Sequence, residues 1–352
     1  MTQEPAPVGQ PAFRLRTDAA AWDAFVAVAA RGAYAQQTAW AEVKAANGWV
    51  PERVVIDAAE GPVGCQLLVH RLAPSPWSIG YAPRGPVATR FGAGGVTAWT
   101  DAVRAVAGRM RLSHVVIDPA VPAGDPLEAW LRANGWRPTA PVQPSRTRLI
   151  DLTRPEAVLW ADLRGKWRQY VGKARRDGVT VVEAGPEGLD DFYAIYVETA
   201  RRAGFVHRAR GAYAATYAAF ARQGAARLLF AQDADGRRQA TLLLLECGAT
   251  VVEPYGGMTA AGAASRANYL LKWEAIRSSR ERGLATYDLW GLAHPGIAQF
   301  KAGFGGQEVT WIGAWEQVTR PVVRGAVNAL QRARVAVATR RMGRPPAGAD
   351  AG

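Results

Sequence analysis

Lysine is nearly missing from this chain: five lysines stand against thirty-eight arginines in 352 residues. Cysteine is scarcer still. Cys65 and Cys247 lie far apart in apolar runs, and His70, His114, His207 and His294 form no spaced ligand set with them. Two distant thiols exclude a disulfide framework, and the missing Cys/His cluster argues against a structural metal. Long apolar runs are absent as well; the stretch 240–245 is among the longest, far short of the roughly 20 residues of a membrane-spanning helix. The opening MTQEPAPVGQ has no basic region followed by an apolar one, so the expected location is cytoplasmic.

Acids are in deficit too, and the formal net charge is +13. Such a surface attracts nucleic acid, anionic lipid or phosphorylated substrates at long range, without choosing among them. With 49% hydrophobic and 21% charged residues the composition is that of a globular protein. The length suits two domains, each with its own core.

Residues 1–12 and 343–352 are Pro- and Ala-rich tails expected to be disordered. Between them the pattern predicts helices over 18–31 and 37–47, strands over 52–57 and 63–72, a helix over 93–110, a strand over 113–118 and a helix over 126–134. After a strand at 147–152 the order returns. Helices over 156–176, 188–203 and 211–222 precede strands over 226–233, 238–247 and 249–256, then a helix over 264–282 and a strand over 286–290. IGYAPR at 79–84 ends the first hairpin as PYGGM at 254–258 ends the second, and HVVIDP at 114–119 aligns with TYDLWG at 286–291. Asp118 and Asp288 take equivalent places. The inferred architecture is a duplicated α/β unit with mixed sheets and a ligand cleft between the copies. The domain limits are 13–150, completed by 309–320, and 151–308, followed by a helix over 321–342.

Lys301 stands out within YDLWGLAHPGIAQFKAGFGG, residues 287–306. Where arginine has replaced lysine almost everywhere, a remaining lysine suggests a need for an amine, because an ammonium can lose its proton and guanidinium cannot. It follows a strand-like run and precedes Gly303, Gly305 and Gly306, which permit close backbone approach to a ligand. A strand end, a glycine-rich loop and one cation suggest a binding site.

Three further segments carry chemical signals. RERGLA at 280–285 matches the R-x-x-G-x-A pyrophosphate loop of acyl-CoA N-acyltransferases, but it closes a helix where that loop must open one, so a helix cap at Gly283 fits better. RGKWRQYVGKARR at 164–176 carries Arg164, Lys166, Arg168, Lys173, Arg175 and Arg176 around Trp167 and Tyr170, without an acid. It suits phosphate-rich or nucleotide partners, or else is a solvated helix face. RPVVRGAVNALQRARVAVATRR from residue 320 holds six arginines and no acid, with Val323, Val327, Leu330, Val335 and Val337 near one face. That helix suits either an anionic membrane or packing on the first domain.

Taken together, QTAWAEVKAANGW at 37–49, YAPRGPV at 81–87, LRGKWRQYVGKARRDGV at 163–179, FYAIYVETARRAGFVHR at 192–208, ANYLLKWEAI at 267–276, YDLWG at 287–291 and FKAGFGG at 300–306 resemble the FemABX family of peptidoglycan bridge-forming aminoacyltransferases, over nearly all of residues 34–318. The resemblance implies two tandem acetyltransferase (GNAT)-like domains, of the compact type without a coiled-coil arm. It implies transfer of an amino acid from aminoacyl-tRNA, a co-substrate, to the side-chain amine of a peptidoglycan stem peptide on a UDP-sugar or lipid-linked precursor, with no other cofactor. It places Lys44, Arg208 and Tyr255 around the precursor's diphosphate and sugar, and Lys301 with Phe300 at the reacting centre. Ala212 stands where a tyrosine is expected after Arg208, with Tyr213 beside it. Arg84, Asp288, Gly303, Gly305 and Gly306 complete the expected substrate site. Asp118 is expected to orient or deprotonate the acceptor amine, or merely to cap the turn at Pro119. Arg164 to Arg176 would hold tRNA or precursor phosphates, and the last helix would touch the inner membrane face. Lys272 is assigned to an ordinary helix face. Two other functions fit the sequence: an N-acyltransferase with a different acyl donor, and a non-catalytic RNA-binding protein. The transferred amino acid, the acceptor residue and the oligomeric state are not legible.

Overall fold

The computed structural model describes residues 13–15, 18–29, 33–292 and 294–342, so both expected tails lie outside the described residues. Two mixed sheets organise the chain. The first is built from β1 (Phe13–Leu15), β2 (Trp49–Ala58), β3 (Gly61–Arg71), β4 (Ser78–Arg84), β5 (Val87–Ala88), β6 (Leu112–Pro119) and β7 (Arg137–Thr139). The second holds β8 (Arg146–Asp151), β9 (Thr180–Ala184), β10 (Ala226–Gln232), β11 (Arg238–Cys247), β12 (Thr250–Met258), β13 (Thr286–Asp288) and β14 (Gln307–Thr310). The chain then returns to the first sheet with β15 (Ala314–Val318), giving the order β1-β2-β3-β4-β6-β15-β7, with β5 on β3, beside β14-β8-β13-β12-β11-β10-β9.

The helices follow their apolar periods. In the first half these are α1 (Ala19–Val28), α2 (Thr38–Ala45), α3 (Ala93–Arg109) and α4 (Leu127–Ala133). α3 turns Val96, Trp99, Val103 and Val106 into the first sheet at helical spacing, and Trp99 stacks on Trp136 at 5.5 Å. The second half has α5 (Glu156–Asp162), α6 (Gly165–Arg176), α7 (Leu189–Ala203), α8 (Arg210–Ala221), α9 (Ala260–Ala264), α10 (Ala267–Glu281) and α11 (Pro295–Ala302), and α12 (Pro321–Met342) ends the described chain. Each fully enclosed Leu, Val or Phe in these faces contributes about 1.5–3 kcal/mol.

The two halves repeat one design. β3 and β4 are antiparallel, α3 crosses over, and β6 lies parallel to β4 with Asp118 opposite Pro83. β11 and β12 are antiparallel, α9 and α10 cross over, and β13 lies parallel to β12 with Asp288 opposite Val252. This is the tandem GNAT-like arrangement expected from the sequence. The halves also share a core, in which Trp22, Phe25, Tyr34 and Trp40 pack with Phe220, Leu245, Cys247 and Val252.

Differences from the sequence reading have local causes. The expected helix over 156–176 breaks after α5, because the Arg164 N–H is taken by the Gly303 carbonyl at 2.9 Å. β7, β9, β14 and β15 are three to five residues long, too short for alternation to announce them. Lys301 lies in the last turn of α11, not in a loop; Pro295 presets the first helical turn, and the glycines begin only afterwards. Gly283 ends α10 at φ +81°, with N–H bonds from Gly283 to Arg280 and from Leu284 to Ser279, a left-handed helix cap.

Gly306 is constrained twice: its φ is +72°, and a Cβ there would run into the Leu149 carbonyl of β8. That neighbour is backbone and cannot swing away. Gly306→Ala should therefore destabilise the fold by about 1–3 kcal/mol, read as a lower denaturation midpoint in urea with an unchanged slope.

Candidate active site

The first group of candidate side chains gathers where β13 ends. Asp288 is buried, and its Oδ1 accepts from the Thr147 hydroxyl and from the Trp290 N–H at 2.7 Å. Burial raises its pKa, opposed by those hydrogen bonds and by Arg84 and Lys301. Held this way, the chain turns at Trp290 with φ +59°, a left-handed conformation costing a non-glycine residue about 1–2 kcal/mol. The turn aims two carbonyls at α11, and Lys301 Nζ donates to Trp290 O at 3.0 Å and Gly291 O at 2.9 Å. Burial pushes the Lys301 ammonium down to about 8, with Glu253 acting against the shift and Lys272 with it.

Phe300 precedes the lysine on α11. Its carbonyl accepts from Trp167 Nε1 at 3.1 Å, and its ring lies 5.3 Å from both Tyr269 and Phe304. Two of the three glycines after the helix do not leave their N–H groups open. Gly303 N–H bonds to Phe300 O and Gly305 N–H to Ala302 O, and Gly303 is where the Trp167 ring packs.

The second group surrounds Arg208. Tyr213, on α8, accepts the Arg208 N–H at its hydroxyl at 3.0 Å, and its ring lies 5.1 Å from Tyr255. Tyr213 therefore sits beside Arg208 despite its displacement in sequence. Lys44 stands 4.7 Å over the Trp40 ring, and its pKa is lowered to about 8, first by burial and then by Arg208. Tyr34 is buried between the groups: its ring meets Trp290 at 5.7 Å, and its ionisation is disfavoured by burial and influenced by Tyr255, Arg84, Arg208 and Asp288.

The third group is Arg84 and Asp118. Arg84 ends β4 at φ +55° and lies 5.0 Å from the Trp290 ring and 5.9 Å from the Trp311 ring. It donates to Pro144 O at 2.9 Å and faces Asp118 at 3.7 Å. Asp118 is 1% exposed, and its Oδ2 accepts from Gln143 N–H at 2.7 Å. The structure turns Asp118 inward toward Arg84; burial raises its pKa against the pull of that guanidinium. A cavity of about 820 Å³ lies between the sheets, lined by Tyr34, Arg84, Asp288, Trp290 and Trp311 among others. Lys301 does not line it, but it holds the Trp290 carbonyl.

The basic helix α6 is less free than its sequence implied. Arg168 donates to the carbonyls of Ala161 and Leu163, Lys173 pairs with Asp177, and Arg175 pairs with Glu274. Arg164 and Lys166 are exposed and lie over the Trp167 and Tyr170 rings, and Arg176 is exposed with no carboxylate partner among the described residues. These three are the cations available to phosphates.

Several residues of the site escaped the sequence reading: Tyr34, Thr147, Trp290, Trp311, and the buried pair Glu253 and Lys272. A signal existed for the pair. Each is the lone charge in an apolar run, VVEPY and YLLKW, and buried charges are usually paired.

Residues 161–302 match the acetyltransferase (GNAT) domain family. The chain is 28% identical to the lipid II:glycine glycyltransferase of Staphylococcus saprophyticus over 199 residues, 53% of this chain and 48% of that protein. It thus spans about half the length of that relative. It is 26% identical over 286 residues to the UDP-N-acetylmuramoylpentapeptide-lysine N(6)-alanyltransferase of Weissella viridescens, covering 77% of this chain and 83% of that one. In fold it is similar to the crystal structure of FemX, with a TM-score of 0.81 at 20% identity over 89% of this chain and 99% of the other. The resemblance carried by the motifs is thus matched by sequence relatives and by fold, and the relatives of this chain are Fem-type aminoacyltransferases.

Proposed function

We propose that the chain transfers an amino acid from aminoacyl-tRNA to the side-chain amine of a peptidoglycan stem peptide, carried on a UDP-linked or lipid-linked precursor. The observation that carries this is the Lys301 ammonium held on two carbonyls beside the junction of the sheets. An ammonium has three N–H donors, and two are engaged. The third serves the oxyanion that forms when the acceptor amine attacks the ester carbonyl of the aminoacyl-tRNA. The new C–N bond forms, the C–O bond to the tRNA 3′ oxygen breaks, and the amine proton leaves with that oxygen. Ester aminolysis needs a neutral amine but little acid catalysis.

Lys44 and Arg208 form the anion site. Burial and then Arg208 disfavour the Lys44 ammonium, and a diphosphate bound beside both cations relieves that cost. Asp118 serves by fixing Arg84 at the sheet junction. The free cations Arg164, Lys166 and Arg176 extend the surface along which tRNA phosphates lie. The similarity to a glycyltransferase and an alanyltransferase supports a small amino acid as the transferred group.

α12 is proposed to bring the enzyme to anionic lipid. Its first turns dock on the first sheet, where Arg324 pairs with Glu316 at 2.7 Å, while Val322 and Leu330 are 87% and 55% exposed. No described helix is long and apolar enough to cross a membrane.

Two outcomes follow. In single-turnover assays with charged tRNA, Lys301→Ala should slow transfer on the order of 10²–10³-fold, the cost of one oxyanion donor, with the fold and precursor binding retained. Because Lys301 works as a cation with a pKa lowered to about 8, the wild-type rate should fall as pH rises through that value; undiminished turnover in the variant removes Lys301 from the mechanism. Removing residues 329–352, which leaves the Arg324–Glu316 pair in place, should weaken co-sedimentation with phosphatidylglycerol vesicles, and unchanged sedimentation contradicts the membrane role.

A further inference from the structure

Beneath α11 lies a pair of charges that transfer does not use. Lys272 on α10 and Glu253 on β12 meet at 2.5 Å, with side chains 4% and 3% exposed. The other Glu253 oxygen accepts from the Tyr287 hydroxyl of β13 at 2.9 Å. Lys272 is therefore not on an ordinary helix face. Such a pair is a poor stabiliser, because removing two charges from water cancels most of their attraction, and well-packed apolar residues of similar volume often do as well. Its presence calls for another explanation.

The surroundings supply one. Lys272 Nζ lies 5.8 Å from the Phe300 ring and 5.9 Å from the Phe304 ring, the aromatics on either side of Lys301 in sequence, Phe300 on α11 and Phe304 just after it. Three charged groups act on Lys301 from the elements packed against it: Glu253 from β12, Lys272 from α10 and Asp288 from β13. Of the two acids, Asp288 has its Oδ1 taken by Thr147 and the Trp290 N–H. Both oxygens of Glu253 are filled, by Lys272 and Tyr287. Were Lys272 absent, one Glu253 oxygen would stand open in an apolar site with a second ammonium nearby. A buried, unpaired carboxylate is costly enough to draw in any cation within reach.

We propose that Lys272 is a positioning residue: by saturating Glu253 it keeps that carboxylate from capturing Lys301, which stays on the carbonyls of Trp290 and Gly291. The inference rests on Lys301 being the working cation, but its test does not depend on activity. The full chain grown with lysine carrying ¹³C at Cε has five labelled sites, each assigned by substitution, and the Lys301 signal reports its own titration. In Lys272→Met the Lys301 midpoint should rise by about one pH unit, the effect of an unopposed neighbouring acid. Adding Glu253→Gln should bring it back to the wild-type value or below, and Glu253→Gln alone should lower it. Should Lys272→Met not fold, Lys272→Arg, which keeps a cation on Glu253, must leave the midpoint at wild type while Glu253→Gln lowers it. Equal Lys301 midpoints in wild type, Lys272→Met and Glu253→Gln overturn the proposal. If instead the midpoints shift as stated while Lys301→Ala retains transfer, the positioning stands and the catalytic reading of Lys301 fails.

Discussion

Trp290 is the joint on which the site depends. Its N–H caps Asp288, its ring meets Arg84 and Tyr34 from the first half of the chain, and its carbonyl receives Lys301 from α11. One residue thus ties the end of β13 to the other sheet and to the lysine, in a left-handed conformation that its side chain would not choose. The strain is tolerable because the contacts on either side over-determine the turn. A shift of Trp290 would move Lys301 and Arg84 together.

The same economy governs charge. Arginine covers the surface and makes most of the ion pairs, such as Arg175 with Glu274 and Arg324 with Glu316. Lysine is kept where a compact ammonium on a flexible stem is needed. Lys44 and Lys301 are both lowered to about 8 by burial, and Lys272 brings a compact ammonium to a Glu253 oxygen buried beneath α11. Lys166 and Lys173 remain on the basic helix, where either cation would do. Scarcity of lysine therefore marks three positions with a chemical demand and two without one.

Much of the fold was legible because it is written in period and repetition. β6 is buried along its whole length, and its counterpart β13 follows a second helix in the same order, so the tandem arrangement could be read from strings such as HVVIDP and TYDLWG. α11 was not legible: eight residues that include Gly296 carry no apolar face, and the structure buries none fully. The availability of the α6 cations was only half legible. Lys173 and Asp177 are four apart on a helix and could be paired from sequence, whereas Arg175 finds Glu274 across 99 positions. Asp118 and Asp288 both lie at strand ends, but Asp118 stands opposite Pro83 near the end of β4 and Asp288 opposite Val252 near the start of β12, and their directions depend on Arg84 and Thr147, which only the folded chain brings alongside.

Acyl transfer to an amine is common to every enzymatic reading of this fold, and the donor separates them. The purified protein, given mixed aminoacyl-tRNAs or acetyl-CoA together with UDP-linked and lipid-linked precursors, should add a single aminoacyl residue to a precursor, seen as that mass increase, only in the presence of charged tRNA. Acylation supported by acetyl-CoA and not by aminoacyl-tRNA, or tRNA binding indifferent to charging with no product formed, would contradict the account.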